Sequence, residues 1–230
     1  MCVAPVFTND SGVFERVVPS SHMCLKQAVI RIASADNKST TFYVELELPP
    51  LVDGANDPIF AMPYPITVHE TVPATVPPIA DAFNDTNTYT IEFADGLEMD
   101  IQPSTFYGQT AEIYDLRSVR VPGNSSGLEF AEGASDFEGF YGFWPEADVN
   151  NANGGPSGYP IRIPNSTNLA DGTKVEFYGL GGLNTHLYNG AKLAEGVWEK
   201  IGEGTVSGNI ITSDPENGLP FLTWFGYRAQ

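Results

Sequence analysis

Positive charge is what this chain most conspicuously lacks. Its 230 residues carry 11 Lys and Arg against 29 Asp and Glu, a formal net charge of −18. Nucleic-acid binding through phosphate contacts needs clustered bases, so the composition excludes that partner. Acids are not in excess, because half of a typical charged fraction of about 25% is about 12%, close to 29 residues in 230. The imbalance therefore comes from missing bases. No Lys or Arg stands between Lys38 and Arg117, a span that holds thirteen carboxylates.

Other absences narrow the class further. There is no apolar run of about 18 residues, so no transmembrane segment is expected. The start, MCVAPVFTND, has neither a basic n-region nor an apolar h-region, so no secretory signal is read there, and an exported protein would have had its signal removed. Only two cysteines occur, Cys2 and Cys24; one disulfide and two free thiols are both open readings. They are too few for a zinc site, and His22, His69 and His186 show no HxxxH or HExxH spacing. Helical periodicity is also nearly missing.

Period-two alternation takes its place. Residues 41–48, TFYVELEL, set Phe42, Val44, Leu46 and Leu48 on one face and Tyr43, Glu45 and Glu47 on the other, the pattern of a half-buried antiparallel strand. Residues 27–32 and 66–72 read the same way. A strong hairpin signal covers residues 89–101, where Tyr89, Ile91 and Phe93 alternate up to Asp95-Gly96 and Leu97, Met99 and Ile101 alternate away from it. Gly208-Asn209 predicts a second hairpin, between Thr205-Val206 and Ile210-Ile211. Gly 23 and Pro 18 together exceed an average share of about 12% and imply many turns. The fold expected is all-β, as two Ig-like antiparallel β-sandwiches in tandem. The proline-rich TVPATVPPIAD marks the boundary, giving domains 1–75 and 76–230.

Few residues suggest chemistry. Gly123-Asn124-Ser125-Ser126-Gly127 matches the nucleophile-elbow pattern, but Pro122 precedes it and no amphipathic helix follows, so a polar turn is expected. Carboxylates without bases suit calcium, which takes hard oxygen ligands from loops. Asp148, Asn150 and Asn153 are the calcium candidate, with Asp81, Asp85 and Asp95 as alternatives. Phe137, Phe140, Tyr141 and Phe143 precede Trp144; they read as a core strand followed by a long loop, or as an exposed platform in which Phe140, Tyr141 and Trp144 bind sugar or a partner. Asn-x-Ser/Thr sequons stand at Asn9, Asn37, Asn84, Asn124 and Asn165.

The last third carries a resemblance. Pro160, Ile161, Ile163, Pro164 and Asn165 lead to Gly172, Val175 and Phe177; then come Trp198, Gly202, Gly204, Val206, Ser213, Asp214, Gly218 and Trp224. This pattern resembles a β-sandwich module of large bacterial cell-surface proteins, over residues 137–230, and is distantly similar to the sandwich domains of ankyrins and netrin receptors. Some relatives of that sandwich cleave themselves at a His-hydrophobic-Ser/Thr site; His186-Leu187-Tyr188 lacks the hydroxyl nucleophile. Each of these residues also has a purely structural use, such as the two tryptophans filling the core.

The function expected is that of a non-enzymatic, extracellular or cell-surface structural or adhesive protein, a fibre or matrix subunit acting as a homo-oligomer or with other surface proteins. The start VAPVF is a candidate strand donor for assembly. The alternative is a carbohydrate- or calcium-binding module of a larger surface protein, with a glycan as ligand. A polysaccharide hydrolase would need a pair of carboxylates facing one groove, which spacing alone does not nominate.

Overall fold

The structure is a computed structural model and describes residues 27–32, 40, 42–47, 67–81, 84–107, 110–125, 131, 134–149, 158–182, 185–187, 190–215 and 217–230. The chain divides into two compact units, residues 1–28 with 45–61, and residues 29–44 with 62–230. Strands β1 (Gln27–Ile32) and β2 (Phe42–Glu47) form a two-stranded sheet, where alternation predicted them.

The second unit is built on one antiparallel sheet of eleven strands. In chain order these are β3 (Val72–Pro73), β4 (Tyr89–Glu92), β5 (Glu98–Ile101), β6 (Phe106–Tyr107), β7 (Arg117–Pro122), β8 (Gly139–Val149), β9 (Ile161–Pro164), β10 (Lys174–Leu180), β11 (Trp198–Ser207), β12 (Ile210–Ser213) and β13 (Phe221–Ala229). Ten of them follow the path β3-β7-β8-β13-β10-β11-β12-β9-β5-β4, and β6 pairs with β8. The sheet curls strongly. At the end of β4, the Phe93 ring meets Phe143 of β8 edge-on at 5.5 Å, although the path places those strands far apart. One antiparallel bridge even joins the two ends: Thr75 N–H donates to Glu92 O at 2.7 Å and Glu92 N–H to Thr75 O at 3.3 Å.

Both predicted hairpins are present as β4–β5 and β11–β12. Their turns need Gly96 and Gly208 because both hold positive φ, 76° and 59°, which side chains with a Cβ tolerate poorly. Alternation then decides what goes inside. Ile91, Leu97, Met99 and Ile101 are buried, whereas Thr90 and Glu92 face out.

The main core fills the concave face and draws on strands β4 to β6 and β8 to β13, with Tyr141 stacked on Phe225 at 5.1 Å and Phe177 edge-on to Phe225 at 6.1 Å. Each such buried ring contributes on the order of 1.5–3 kcal/mol. A second, smaller cluster lies on the opposite face of β7, β8, β10 and β13, where Phe140, Trp224, Leu180 and Val121 are covered by Ala131, Ala134 and Phe137. Strand β8 is buried on both faces, which is why its sequence reads as an aromatic run and not as an alternation.

Three expectations take a different form. All-β architecture is present, but a tandem pair of Ig-like sandwiches is not shown; one sheet curls until its own inner face supplies the core. Of the strand expected over 66–72, the described residues 67–71 lie outside any strand, and Val72 falls in the two-residue β3 with Pro73. The proline-rich stretch read as a linker lies within the second unit, where Ala74 N–H donates to Leu116 O and Ala74, Val76 and Ile79 pack on the main core.

Candidate functional site

Asp148 is the calcium-candidate residue that the structure places; Asn150 and Asn153 lie outside the described residues. It stands near the end of β8, opposite Phe221 of β13 and Tyr107 of β6. Its carboxylate is tied to protein partners. Oδ2 lies 2.8 Å from His186 Nδ1, and Oδ1 accepts the Val149 N–H at 3.0 Å. Burial pushes the Asp148 carboxyl above the usual carboxylate range, and the His186 hydrogen bond opposes that push.

His186 comes from the segment between β10 and β11. Paired with Lys192 in an isolated bridge, and with Leu193 N–H bonded to Thr185 O, it is held by a short hairpin-like excursion. Thr185 is buried and its hydroxyl accepts the Gly182 N–H at 3.1 Å, which fixes the base of this excursion. An ionised Asp148 selects the tautomer with hydrogen on Nδ1, so Nε2 keeps its lone pair. The imidazole is 42% exposed.

Such a dyad orients a base but is only part of a hydrolytic constellation, which also needs a nucleophile and oxyanion donors. Among the described residues, no hydroxyl or thiol is hydrogen-bonded to His186. Nor do they contain a group of three or more His, Cys, Asp or Glu side chains arranged to hold a metal. Sequence reading had no means to pair Asp148 with His186, because 38 residues separate them and no motif joins the two.

The other sequence-derived sites fall as follows. Phe140 and Tyr141 are fully buried, one on each face of β8, and Trp144 is half-buried, so these three do not form an exposed platform. Burial wins because a two-sided strand supplies both cores at once. Gly123–Ser125 forms a turn closed by Ser125 N–H to Pro122 O at 3.0 Å. Asp81 and Asp85 bind within their own loop, to Asn84, Asn87 and Tyr89. Asn84 and Asn124 are exposed, whereas the Asn165 amide donates to Leu169 O and Gly208 O and its Oδ1 accepts the Leu169 N–H. Cys2, Cys24, Tyr188, the VAPVF start, Asn9 and Asn37 lie outside the described residues.

Outward-facing charges are gathered into networks that sequence reading missed. Arg162 of β9 grips Asp100 with two hydrogen bonds of 2.8 Å and Glu98 with one of 2.7 Å, all on neighbouring strands. Glu176 of β10 joins Lys200 of β11 and Arg228 of β13, and the Arg228 guanidinium sits 4.6 Å from the Tyr178 ring centroid. Both sets cross from strand to strand at the registers that make the residues neighbours.

The fold and these contacts define an all-β protein with a filled interior. No family model, curated protein or solved structure matches the chain. In the described residues no helix is long and apolar enough to cross a membrane.

Proposed function

We propose that this is a structural or adhesive protein of a cell surface or extracellular matrix, working through protein contacts and self-association. One observation carries the reading. The largest sheet spends its concave face on a packed core, and its scarce cations are spent on tying neighbouring strands together through Arg162, Lys200 and Arg228. That is construction for a durable scaffold. The resemblance of residues 137–230 to a bacterial surface module supports the same reading and, with it, a sandwich-type relationship for that part of the chain.

Assembly then has to overcome charge. Copies of a chain with net charge −18 repel one another until salt screens them or a divalent cation bridges their carboxylates. Calcium is the proposed bridging ion, acting between chains. Light scattering and electron microscopy of the full chain, from low to molar sodium chloride and with millimolar calcium followed by chelator, test this. Larger particles with added calcium or salt, reversed by chelation or dilution, are the expected outcome. A monomer insensitive to both overturns the self-association reading.

A further inference from the structure

The outer edge of β4 is where the curled sheet fails to close. In the ladder with β5, Phe93 N–H donates to Leu97 O at 2.8 Å, and alternation turns the main-chain groups of Tyr89 and Ile91 toward β5 as well. Those of Thr90 and Glu92 point the other way. Glu92 spends its pair on Thr75, donating at 3.3 Å and accepting at 2.7 Å. Thr90 is exposed, and its main-chain N–H has no backbone acceptor among the described residues.

The segment alongside explains why. Residues 71–79 are held on the β7 side: Val72 pairs with Ser118 and Pro73 with Arg117, Ala74 N–H donates to Leu116 O at 2.8 Å, and the Arg117 guanidinium donates to Thr71 O at 2.9 Å. The Tyr114 hydroxyl adds a bond to Ile79 O at 2.8 Å. Toward β4, the backbone pairing among the described residues is the Thr75 bridge. Continuing its antiparallel register by two residues in each direction sets Pro77 against Thr90 and Pro73 against Ala94. Proline has no N–H, so neither position gains a donor and the seam cannot zip. The chain blocks its own ladder at both places where it would grow.

A strand that carries an N–H opposite Thr90 has what Pro77 lacks. The β4 edge is itself such a strand. Placed antiparallel about a two-fold axis through Ile91, two copies of β4 set Thr90 of one against Glu92 of the other, and the outward N–H and C=O groups of each edge meet their complements. Four hydrogen bonds form across the axis in place of the two that each Thr75 bridge supplies. We propose that the outer edge of β4 is the self-association surface of this protein and that its occupant is β4 of a second copy, an assignment that rests on the self-association reading above. The register lays each Glu92 beside a threonine and keeps the two Glu92 carboxylates on the diagonal, about 7–8 Å apart. Because Glu98 stands directly opposite Glu92 within each copy, joining the edges gathers four glutamates, and salt or calcium becomes the condition for pairing.

Sedimentation velocity of the full chain over a range of concentrations, in molar sodium chloride and in millimolar calcium, tests this together with amide hydrogen exchange. Wild type is expected to form dimers in which the Thr90 amide exchanges about tenfold or more slowly than in the monomer. Thr90→Pro removes the outward N–H and spares the β5 ladder; the axis repeats the loss, so dimerisation should weaken about tenfold or more. Pro77→Thr supplies the missing donor from within the chain. It should slow Thr90 exchange in the monomer and weaken dimerisation as well, so the outcome does not hang on the folding of one variant. Wild-type dimers that both variants leave unchanged, or in which Thr90 exchange does not slow, overturn this edge while self-association stands. A wild type that stays monomeric at every salt and calcium concentration overturns both.

Discussion

At the scale of single residues, Gly142 shows how little room the outer cluster leaves. A Cβ added there would come within 2.5 Å of Thr40 Cγ2 and 2.8 Å of Trp224 Cε2. Thr40 and Trp224 are themselves buried, at 0% and 1% exposure, so neither has space to retreat. Gly142→Ala is therefore expected to cost about 1–3 kcal/mol, the usual penalty of overpacking, read as a lower urea midpoint with an unchanged slope. Adding Thr40→Ser should recover only part, because the indole remains. An unchanged midpoint in Gly142→Ala would mean that the Thr40 segment does not press on this strand. Trp224 was legible in the sequence as a core filler. Its place on the convex face, beneath Ala131, Ala134 and Phe137, was not, because nothing in a strand's pattern says which of two apolar faces looks inward.

Between elements, charge does what composition could not announce. The global count says only that bases are scarce. Arg162 holds Asp100 well below the usual carboxylate range, chiefly by its hydrogen bonds, with Thr90 donating another. A carboxylate with a lowered folded pKa contributes stability above its unfolded pKa, and loses that contribution as pH falls through the folded value. Asp100→Asn should thus destabilise at neutral pH by about 1 kcal/mol or less, as partly exposed pairs do, and the difference from wild type should begin to shrink below about pH 4 and fade as pH falls through the lowered folded value. Thermal melts of both proteins across that range check it. A difference that stayed constant with pH would place the effect in packing instead. The β9–β5 pairing behind this contact joins segments about 60 residues apart, and only the finished register makes Arg162 and Asp100 neighbours. By contrast, the β4–β5 and β11–β12 hairpins were readable because the turn, its glycine and both alternating arms lie within a dozen or so residues.

For the whole second unit, the decisive contact is the smallest one. Among the described residues, the backbone pairing that joins the two ends of the ten-strand path is the Thr75–Glu92 bridge. Thr75→Pro removes the N–H that donates to Glu92 O and should loosen that seam while the middle of the sheet holds. Hydrogen exchange is expected to speed up by about tenfold or more at the amides of β4 and of residues 72–76, with β8, β10 and β13 still protected. Uniform loss of protection would show that the seam governs global stability. Uniform retention would show that side-chain packing such as Phe93 on Phe143 closes the sheet without it.

The sequence by itself determined that this chain is all-β, where its two local hairpins turn, and which alternating residues go inside, because those signals act over a few residues and follow from strand geometry. Tertiary structure decided the rest. One sheet curled on itself where the C-terminal sandwich was expected, the aromatic run of β8 was divided between two cores, and Asp148 met His186. Those outcomes depend on strand order and register between distant segments, which are set when all the apolar faces compete to be buried together.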